Sequence, residues 1–377
     1  MVQQARADGF TVSIEVSRLC MGRIEWGFES DGLIHTAVSA HAGLVDAHER
    51  CLMIAVTFPV PLDVGQPVFY RVVAESLEYA SAYEVGRGKS VTTSVRRLKL
   101  PHREQAALSL AVINDTHEDS ATVAALARRI DALQPDMLVW NGDVCRDFPA
   151  DANPAALVLR PGADATVPSE GGWASTRPLV YVAGNHDVRG EGARMRPLFL
   201  ASGPHAGLPY NTAARIGPLA LICLDTGEDK PDHHPVFAGT AAYEPYRERQ
   251  AAWLATQLAR PEISQAPFKL AFSHIPLRGL TGQNDGTSLE GYARFSAHGA
   301  RLWLPQLSAA GFQAIVSGHT HEWRYDKPTA EQPITQVVGG GPKHDSVTLI
   351  FIEATTEKLT IQTQDLEGTT LGSETWE

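Results

Sequence analysis

Residues 108–117 read Leu-Ser-Leu-Ala-Val-Ile-Asn-Asp-Thr-His, and they decide how the rest of the chain is interpreted. The first six residues are apolar apart from one serine, which is typical of a strand buried on both faces. The strand ends at four polar residues, 114–117, whose side chains include groups that bind cations. An apolar helical face follows at Ala121–Leu133, and Pro135 ends that helix. Such alternation of buried strand, polar turn and amphipathic helix predicts an α/β fold.

The same pattern recurs further along the chain. Predicted strands lie at Met137–Trp140, Leu179–Ala183, Leu219–Leu224, Lys269–Phe272 and Ala314–Val316. Nearly all of them end in Asp, Asn or His, and the carboxyl ends of strands in an α/β sheet are where ligands bind. We therefore expect seven side chains to meet in one place: Asp115, His117, Asp143, Asn185, His274, His319 and His321.

These seven side chains comprise two carboxylates, one amide and four imidazoles. The set is too large for one zinc ion, which takes three or four protein ligands. Shared between two ions, with one carboxylate bridging, it gives each ion four protein ligands and leaves room for water. Two ions about 3.5–4 Å apart polarise phosphoryl oxygens and make hydroxide available from a bridging water near neutral pH. The mixture of ligands favours Mn, Fe or Zn over Ca or Mg.

Five short motifs give the chain a resemblance to a known family. They are Asp115-Thr116-His117, Gly142-Asp143, Gly184-Asn185-His186-Asp187, the single His274 and Gly318-His319-Thr320-His321. Because the five motifs occur in this order, the chain resembles the calcineurin-like metallophosphoesterases over about residues 108–353. The resemblance implies hydrolysis of a phosphate ester, by a phosphomonoesterase or a phosphodiesterase, through attack of a metal-bridging hydroxide.

The resemblance also implies a role for each motif residue. Asp115, His117 and His321 correspond to ligands of one metal. Asn185, His274 and His319 correspond to ligands of the other, with Asp143 bridging. His186 would contact the phosphate and protonate the leaving group, steered by Asp187. An imidazole with a near-neutral pKa suits general acid catalysis, and a carboxylate partner would orient it.

The first ~100 residues have a different pattern. Short β-prone runs at Phe10–Val16, Arg23–Phe28, Cys51–Phe58 and Val68–Ala74 alternate with Gly, Asp and Pro turns. We predict a β-sandwich at residues 1–103, similar to the fibronectin-type-III-like domain of purple acid phosphatases, and a catalytic αββα four-layer domain at residues 104–377. The chain departs from the purple enzymes in having Arg146 where they carry a tyrosine ligand, and in having His117.

The substrate is not fixed by the motifs. Three loops, 145–178, 226–245 and 279–299, are expected to select it, and four residues are candidate substrate contacts: Arg146, Arg278, Asn284 and His298. His233 and His234 could also reach a substrate from the second loop. We expect a small-molecule phosphate ester. A cyclic-nucleotide phosphodiesterase or nucleotidase would use the same metals, and a non-catalytic metal-containing binding module is a third alternative.

Composition excludes some classes of protein. The net charge is −11, and residues 101–377 carry 22 basic against 32 acidic side chains, which argues against a nucleic-acid-binding surface. No run of about 18–20 apolar residues indicates a membrane span. The N-terminus has no apolar leader, which favours the cytoplasm, whereas the purple-phosphatase-like front domain favours export. Cys20 and Cys51 could pair in an oxidising compartment, although free thiols are favoured. The sequence leaves homo-oligomerisation open.

Overall fold

The computed structural model describes residues 1–39, 51–148, 158–159, 173–201, 203, 205, 207–279, 295–330 and 332–377. The strands are β1 (Val2–Arg6), β2 (Gly9–Glu15), β3 (Cys20–Gly27), β4 (His35–Val38), β5 (Cys51–Thr57), β6 (Pro67–Ser81), β7 (Glu84–Thr92), β8 (Arg96–Lys99), β9 (Ala107–Ile113), β10 (Met137–Asn141), β11 (Leu179–Val182), β12 (Thr212–Ile216), β13 (Leu219–Leu224), β14 (Phe268–Ser273), β15 (Ala314–Ser317), β16 (Arg324–Asp326), β17 (Thr335–Val338), β18 (Leu349–Thr355), β19 (Leu359–Gln364) and β20 (Thr370–Trp376). The helices are α1 (Ser120–Leu133), α2 (Tyr243–Leu258), α3 (Pro261–Ser264) and α4 (Ala297–Ala309), with 3-10 turns at His186–Val188, Glu191–Leu198 and Pro235–Phe237.

Two sheets form the centre of the molecule. The larger has the order β20-β19-β18-β9-β10-β11-β1-β2-β5, and β9, β10, β11 and β1 within it are parallel. The smaller has the order β12-β13-β14-β15-β17-β16, with β13, β14, β15 and β17 parallel. The predicted alternation of strands and helices is thus confirmed as a mixed, sheet-rich α/β structure.

Successive side chains of a strand point to opposite faces, and this places the two sheets in layers. On β9, Leu110 and Val112 face an apolar core that they share with Leu270 and Val316 of the smaller sheet. Ala111 and Ile113 face the opposite way, onto α1. The outer face of the smaller sheet packs against α2 and α4 through a separate core. The order of layers is therefore helix, sheet, sheet, helix.

The N-terminal region is rich in β structure and is joined to the larger sheet. Strands β3, β4, β6 and β7 form a separate sheet, with β8 paired to β6. This sheet shares an apolar core with β1, β2 and β5, in which Phe10, Trp26 and Tyr70 are buried. However, β1 also pairs with β11, at Gln3 and Leu179, so the larger sheet continues into residues 1–57. A fibronectin-type-III-like sandwich and a boundary at residue 103 stay predictions.

The predicted helix at Ala121–Leu133 is confirmed, and α1 begins one residue earlier, at Ser120. Near the end of the chain β18 pairs antiparallel with β19, and β20 adds a further strand at the edge. Cys145 and Cys223 are buried thiols, and Cys20 and Cys51 are also buried. Among the described residues, no helix combines the length and the apolar character that crossing a bilayer requires.

Candidate metal centre

All seven predicted ligands lie in the loops that follow the carboxyl ends of parallel strands. Those after β9, β10 and β11 come from the larger sheet, and those after β14 and β15 come from the smaller one. Main-chain hydrogen bonds join these loops: Asp115 N–H donates to the Gly142 carbonyl at 3.0 Å, and Gly318 N–H donates to the His274 carbonyl at 2.8 Å. The structure therefore brings together the side chains that the sequence predicted would meet.

The backbone in these loops is in a conformation that L-residues rarely adopt. Five of the seven predicted ligands have φ in the left-handed region: Asp115 (49°), His117 (44°), Asp143 (51°), His319 (71°) and His321 (59°). Such conformations each cost on the order of 1–3 kcal/mol and persist only where the surroundings enforce them. Their concentration in one place is typical of a functional site.

The motif glycines allow the loops to approach each other closely. A Cβ on Gly184 would lie 2.3 Å from the Asp143 main-chain nitrogen and from its Oδ1, and a Cβ on Gly318 would lie 2.4 Å from Asp115 Oδ2. A Cβ on Gly142 would lie 2.3 Å from Nδ1 of His274. Any larger residue at these positions would displace a predicted ligand, which explains why the motifs contain glycine.

The first group of potential ligands comprises Asp115, His117, Asp143 and His321, whose ligand atoms lie within 4.8 Å of one another. The Nε2 atoms of His117 and His321 are 2.9 Å apart. Asp143 Oδ2 lies 3.6 Å from His117 Nε2, and Asp115 Oδ1 lies 3.4 Å from His321 Nε2. The imidazole nitrogens and the carboxylate oxygens thus converge on one point.

The second group comprises Asp143, His274 and His319, so Asp143 belongs to both groups. His274 Nε2 lies 3.1 Å from Asp143 Oδ2. The amide of Asn185 joins this group, because its Oδ1 lies 2.8 Å from Nδ1 of His319. The division of these ligands between two metal ions stays a prediction.

Two buried asparagines orient the ligands, and sequence reasoning did not single them out. The Asn141 carbonyl accepts a hydrogen bond from Nδ1 of His274 at 2.8 Å, which leaves Nε2 free to bind a cation. Asn114 donates from Nδ2 to Asp115 Oδ2 at 2.6 Å. Both stand immediately before a motif, at the end of a buried strand, and that position is the signal that could have identified them.

The electrostatics of the site also suit a cation. Burial alone would raise the pKa of Asp143, but the charge of His274 holds it well below its usual range. Burial alone would lower the pKa of His274, yet the carboxylates of Asp143 and Asp115 raise it to about 10. In contrast, burial lowers the pKa of His117 to about 4. Without an added cation, the two carboxylates therefore draw a proton onto His274.

Unpartnered buried atoms test whether the residues fit a metal. Asp115 Oδ1, Asp143 Oδ2 and His274 Nε2 are buried and have no hydrogen-bond partner of good geometry among the described residues. Leaving such atoms without a partner costs on the order of 1–3 kcal/mol each, and more for charged groups. Divalent ions bound between them would satisfy all three atoms. The donor set therefore fits divalent metal ions.

His186 lies beside the first ligand group. Its ring meets that of His117 edge-on, with centroids 4.8 Å apart, and its Nδ1 lies 2.5 Å from the Arg146 carbonyl. The predicted steering of His186 by Asp187 differs from the observed contacts. The Asp187 carboxylate accepts hydrogen bonds from the main-chain N–H groups of Asp143, Val144 and Gly184. Asp187 therefore holds the loop that carries Asp143, and the Arg146 carbonyl orients His186.

An arginine that sequence reasoning missed contacts His186 on its other side. Arg189 Nη1 lies 3.1 Å from His186 Nε2. Glu228 accepts two hydrogen bonds from the same guanidinium, at 2.5 and 2.8 Å, and Asp229 accepts one at 2.7 Å. Arg189 follows the Gly-Asn-His-Asp motif by two residues, which is the only sequence signal for it.

The four predicted substrate contacts have different surroundings. The Arg146 side chain is exposed, and its contact with a substrate stays a prediction. The guanidinium of Arg278 has a structural role: it donates hydrogen bonds to the carbonyls of Asp326, Lys327 and Ile334. Its contact with a substrate stays a prediction. His298 lies in the first turn of α4 and belongs to neither ligand group. Asn284 lies outside the described residues.

Two further histidines were predicted to be within reach of a substrate. His234 accepts a hydrogen bond from the Val236 N–H and so begins the turn at Pro235–Phe237. His233 is exposed. The loop that carries both also contributes Glu228 and Asp229, which hold Arg189 beside His186. A substrate contact by His233 or His234 stays a prediction.

Comparison with known proteins identifies a family and a similar fold. The family profile of the calcineurin-like phosphoesterases matches residues 108–323. Purple acid phosphatase PPD1 from seeds of yellow lupin (Lupinus luteus) is similar in structure over 99% of this chain and 73% of its own, with a TM-score of 0.69 and 12% identity. A dimetal phosphatase from Danio rerio covers 71% of this chain and 98% of its own, with a TM-score of 0.48 and 14% identity. No curated protein matches the sequence.

The chain belongs to the calcineurin-like phosphoesterase family, because the family profile spans more than half of it. It is a metallophosphoesterase, a hydrolase of phosphoric esters, and its architecture resembles that of the purple acid phosphatases. At 12% identity the likeness to the lupin enzyme shows the fold alone.

Proposed function

We propose that the protein is a two-metal hydrolase of small phosphate esters. One divalent ion would be held by Asp115, His117 and His321, and the other by Asn185, His274 and His319, with Asp143 shared. The observation that carries the proposal is that Asp143 belongs to both ligand groups while its Oδ2 atom is buried without a hydrogen-bond partner of good geometry. The donor set favours Mn, Fe or Zn.

The chain's own residues would bind the phosphoryl group and transfer a proton. When bound, two divalent ions would polarise the phosphoryl oxygens and supply a nucleophile near neutral pH. His186, held by the Arg146 carbonyl and partly exposed beside His117, would donate a proton to the leaving group. Asp187 would act indirectly, by fixing the main chain at Asp143.

Two other functions are tested by the same experiment. A cyclic-nucleotide phosphodiesterase or nucleotidase would use the same ligands and would differ in its preference between diester and monoester. A metal-binding module without catalytic activity would retain the ions and cleave neither ester. We also propose that residues 1–103 form a fibronectin-type-III-like domain and that the catalytic domain begins after residue 103.

The proposal predicts metal-dependent hydrolysis that depends on Asn185. Metal-free protein should cleave neither a chromogenic phosphate monoester nor the matching diester, and adding Mn, Fe or Zn should restore turnover of at least one. Asn185→Ala removes an oxygen ligand and should lower kcat/KM by at least about a hundredfold, since outer partners of a metal site alone change activity 10–100-fold. Asn185→Asp, which keeps an oxygen ligand, should retain bound metal.

The outcomes separate the alternatives. The ratio of monoester to diester turnover would assign the substrate class. Full activity of Asn185→Ala, or full activity of protein stripped of metal, would refute the two-metal proposal. Two bound ions with no turnover of either ester would favour the binding module.

A further inference from the structure

A large cavity adjoins His186, and neither the family resemblance nor the metal ligands account for it. It has a volume of about 960 Å³, and its lining includes Arg189, which contacts His186, and Glu228, which holds Arg189. None of the predicted metal ligands lines it. The Arg189 side chain therefore links the wall of this cavity to the proposed proton donor, His186.

The charge of the lining is opposite to that of the protein. Among the described residues, the cavity is lined by five cations and two carboxylates, whereas the whole chain has a net charge of −11. Arg189 and Lys230 are neutralised by Glu228 and Asp229. The other three cations, Arg194, Arg196 and Arg249, have no ion-pair partner among the described residues. An acidic protein thus presents an excess of positive charge in this cavity.

Two side chains of the lining have unused polar atoms. Arg196 Nη1 and the Tyr210 hydroxyl are both buried without a hydrogen-bond partner among the described residues. The Arg196 guanidinium lies over the Tyr210 ring at 4.7 Å, and its Nε donates to the Ala193 carbonyl, so its position is fixed. A buried polar atom without a partner costs on the order of 1–3 kcal/mol. The wall of the cavity thus contains a guanidinium nitrogen and a hydroxyl that the described residues leave without a partner.

The rest of the lining suits a ring. Phe237, Tyr243 and Tyr246 line the cavity, with Phe237 and Tyr243 in aromatic contact at 6.1 Å between centroids. The Arg249 guanidinium lies 5.6 Å from the Tyr246 ring. Pockets for small molecules combine such apolar and aromatic walls with a few fixed polar groups, and their volumes of about 300–1,000 Å³ include this one.

We propose that this cavity binds a planar ring that carries an anionic group, held by Arg196 and Arg249 between the aromatic side chains. The second part of the inference is that this ring is the leaving group of the phosphate ester, and that part rests on the proposed function. The substrate class is then a phosphate ester with a second negative charge on a ring-bearing alcohol. Binding of the anionic ring can be measured without catalysis, so the two parts are tested separately.

The test compares two esters that differ in one charge, phenyl phosphate and 3-carboxyphenyl phosphate, with the metal-loaded enzyme. For each protein the readout is the ratio of kcat/KM for the carboxylated ester to kcat/KM for the plain one, which cancels effects common to both. A charge-assisted hydrogen bond contributes about twofold more free energy than a neutral one. We therefore expect Arg196→Met to lower the ratio by about tenfold or more, and Arg249→Met to lower it by about threefold.

Two variants make the result robust. Arg249 is exposed, so Arg249→Met tests the cavity even if loss of the more buried Arg196 impairs folding. Arg128→Met removes the same charge from the exposed side of α1, at a residue that does not line the cavity, and should leave the ratio unchanged. An unchanged ratio in both Arg196→Met and Arg249→Met would overturn the leaving-group assignment while leaving the two-metal proposal intact.

Calorimetry with 3-hydroxybenzoate and with phenol tests the binding part. We expect 3-hydroxybenzoate to bind more tightly than phenol, and Arg196→Met or Arg249→Met to reduce the difference without changing the metal content. Equal binding of the two compounds would overturn the anionic-ring site. If neither ester were cleaved but 3-hydroxybenzoate bound through Arg196, the proposed function would fail and the binding site would stand.

Discussion

At the scale of single residues, the site depends on small side chains as much as on ligands. Asp187 accepts three main-chain hydrogen bonds and so fixes Gly184 and Asp143 against each other. A Cβ on residue 184 would lie 2.3 Å from both the main-chain nitrogen and the Oδ1 atom of Asp143. The two loops cannot separate to make room unless the bonds to Asp187 break.

Gly184→Ala should therefore impair the metal centre. We expect metal affinity and kcat/KM to fall by at least about tenfold, comparable to the loss of an outer partner of a metal site. Calorimetric metal titration and steady-state kinetics measure the two effects. Gly86→Ala is the matched control, because a Cβ there meets nothing nearer than the Glu78 carbonyl at 3.7 Å. Equal affinity in the two variants would mean that the contact with Asp143 is not limiting.

The local sequence pattern predicted which residues form the site better than it predicted their hydrogen-bond partners. The five motifs follow strand ends, so their convergence could be predicted from sequence. Asp187 and Arg278 could not be assigned in this way, because their hydrogen bonds go to main-chain groups of distant segments. Arg189 is a similar case: it contacts Glu228 across 39 residues, and no spacing rule links the two.

At the scale of elements, α1 connects the first metal loop to the core. Its periodic apolar residues made it predictable, and Leu126 and Ile130 are fully buried against the larger sheet. Asp119 begins the helix by accepting a hydrogen bond from the Thr122 N–H at 2.8 Å. Asp119 N–H also donates to the Thr116 carbonyl, so the same residue shapes the turn that carries Asp115 and His117.

Removing this cap should destabilise the protein slightly. Asp119→Ala should lower the free energy of unfolding by about 1 kcal/mol, the usual cost of losing a helix N-cap side chain. Urea denaturation followed by circular dichroism measures it, with Asp345→Ala, at another exposed aspartate, as the control. A change no larger than that of the control would show that Asp119 does not stabilise α1.

The N-terminal strands show what local pattern cannot predict. Runs such as Cys51–Phe58 were predicted as strands, and β5 confirms that one. Their sheet was not predictable, because β1 pairs with β11 at Gln3 and Leu179, far apart along the chain. Nothing in the alternation of residues 2–6 specifies such a partner. The pairing makes the front strands an extension of the sheet that carries the metal loops.

At the scale of the whole molecule, parallel strands of both sheets end at one edge, and the loops after them bring charged side chains together there. Carboxylates and imidazoles collect at the metal centre, while an excess of arginine lines the neighbouring cavity. A phosphate ester with an anionic ring would span both regions. The account therefore assigns bond cleavage to the metal centre and choice of substrate to the cavity.

The central claim, that Asp143 is shared by two metal ions, is tested most directly by counting the ions. Elemental analysis of protein equilibrated with Mn or Zn should give two ions per chain. His321→Ala, which changes only the first ligand group, should retain about one, and Asp143→Ala should lose both. A wild-type protein with a single ion, or an Asp143→Ala variant that retains as much metal as His321→Ala, would contradict the account.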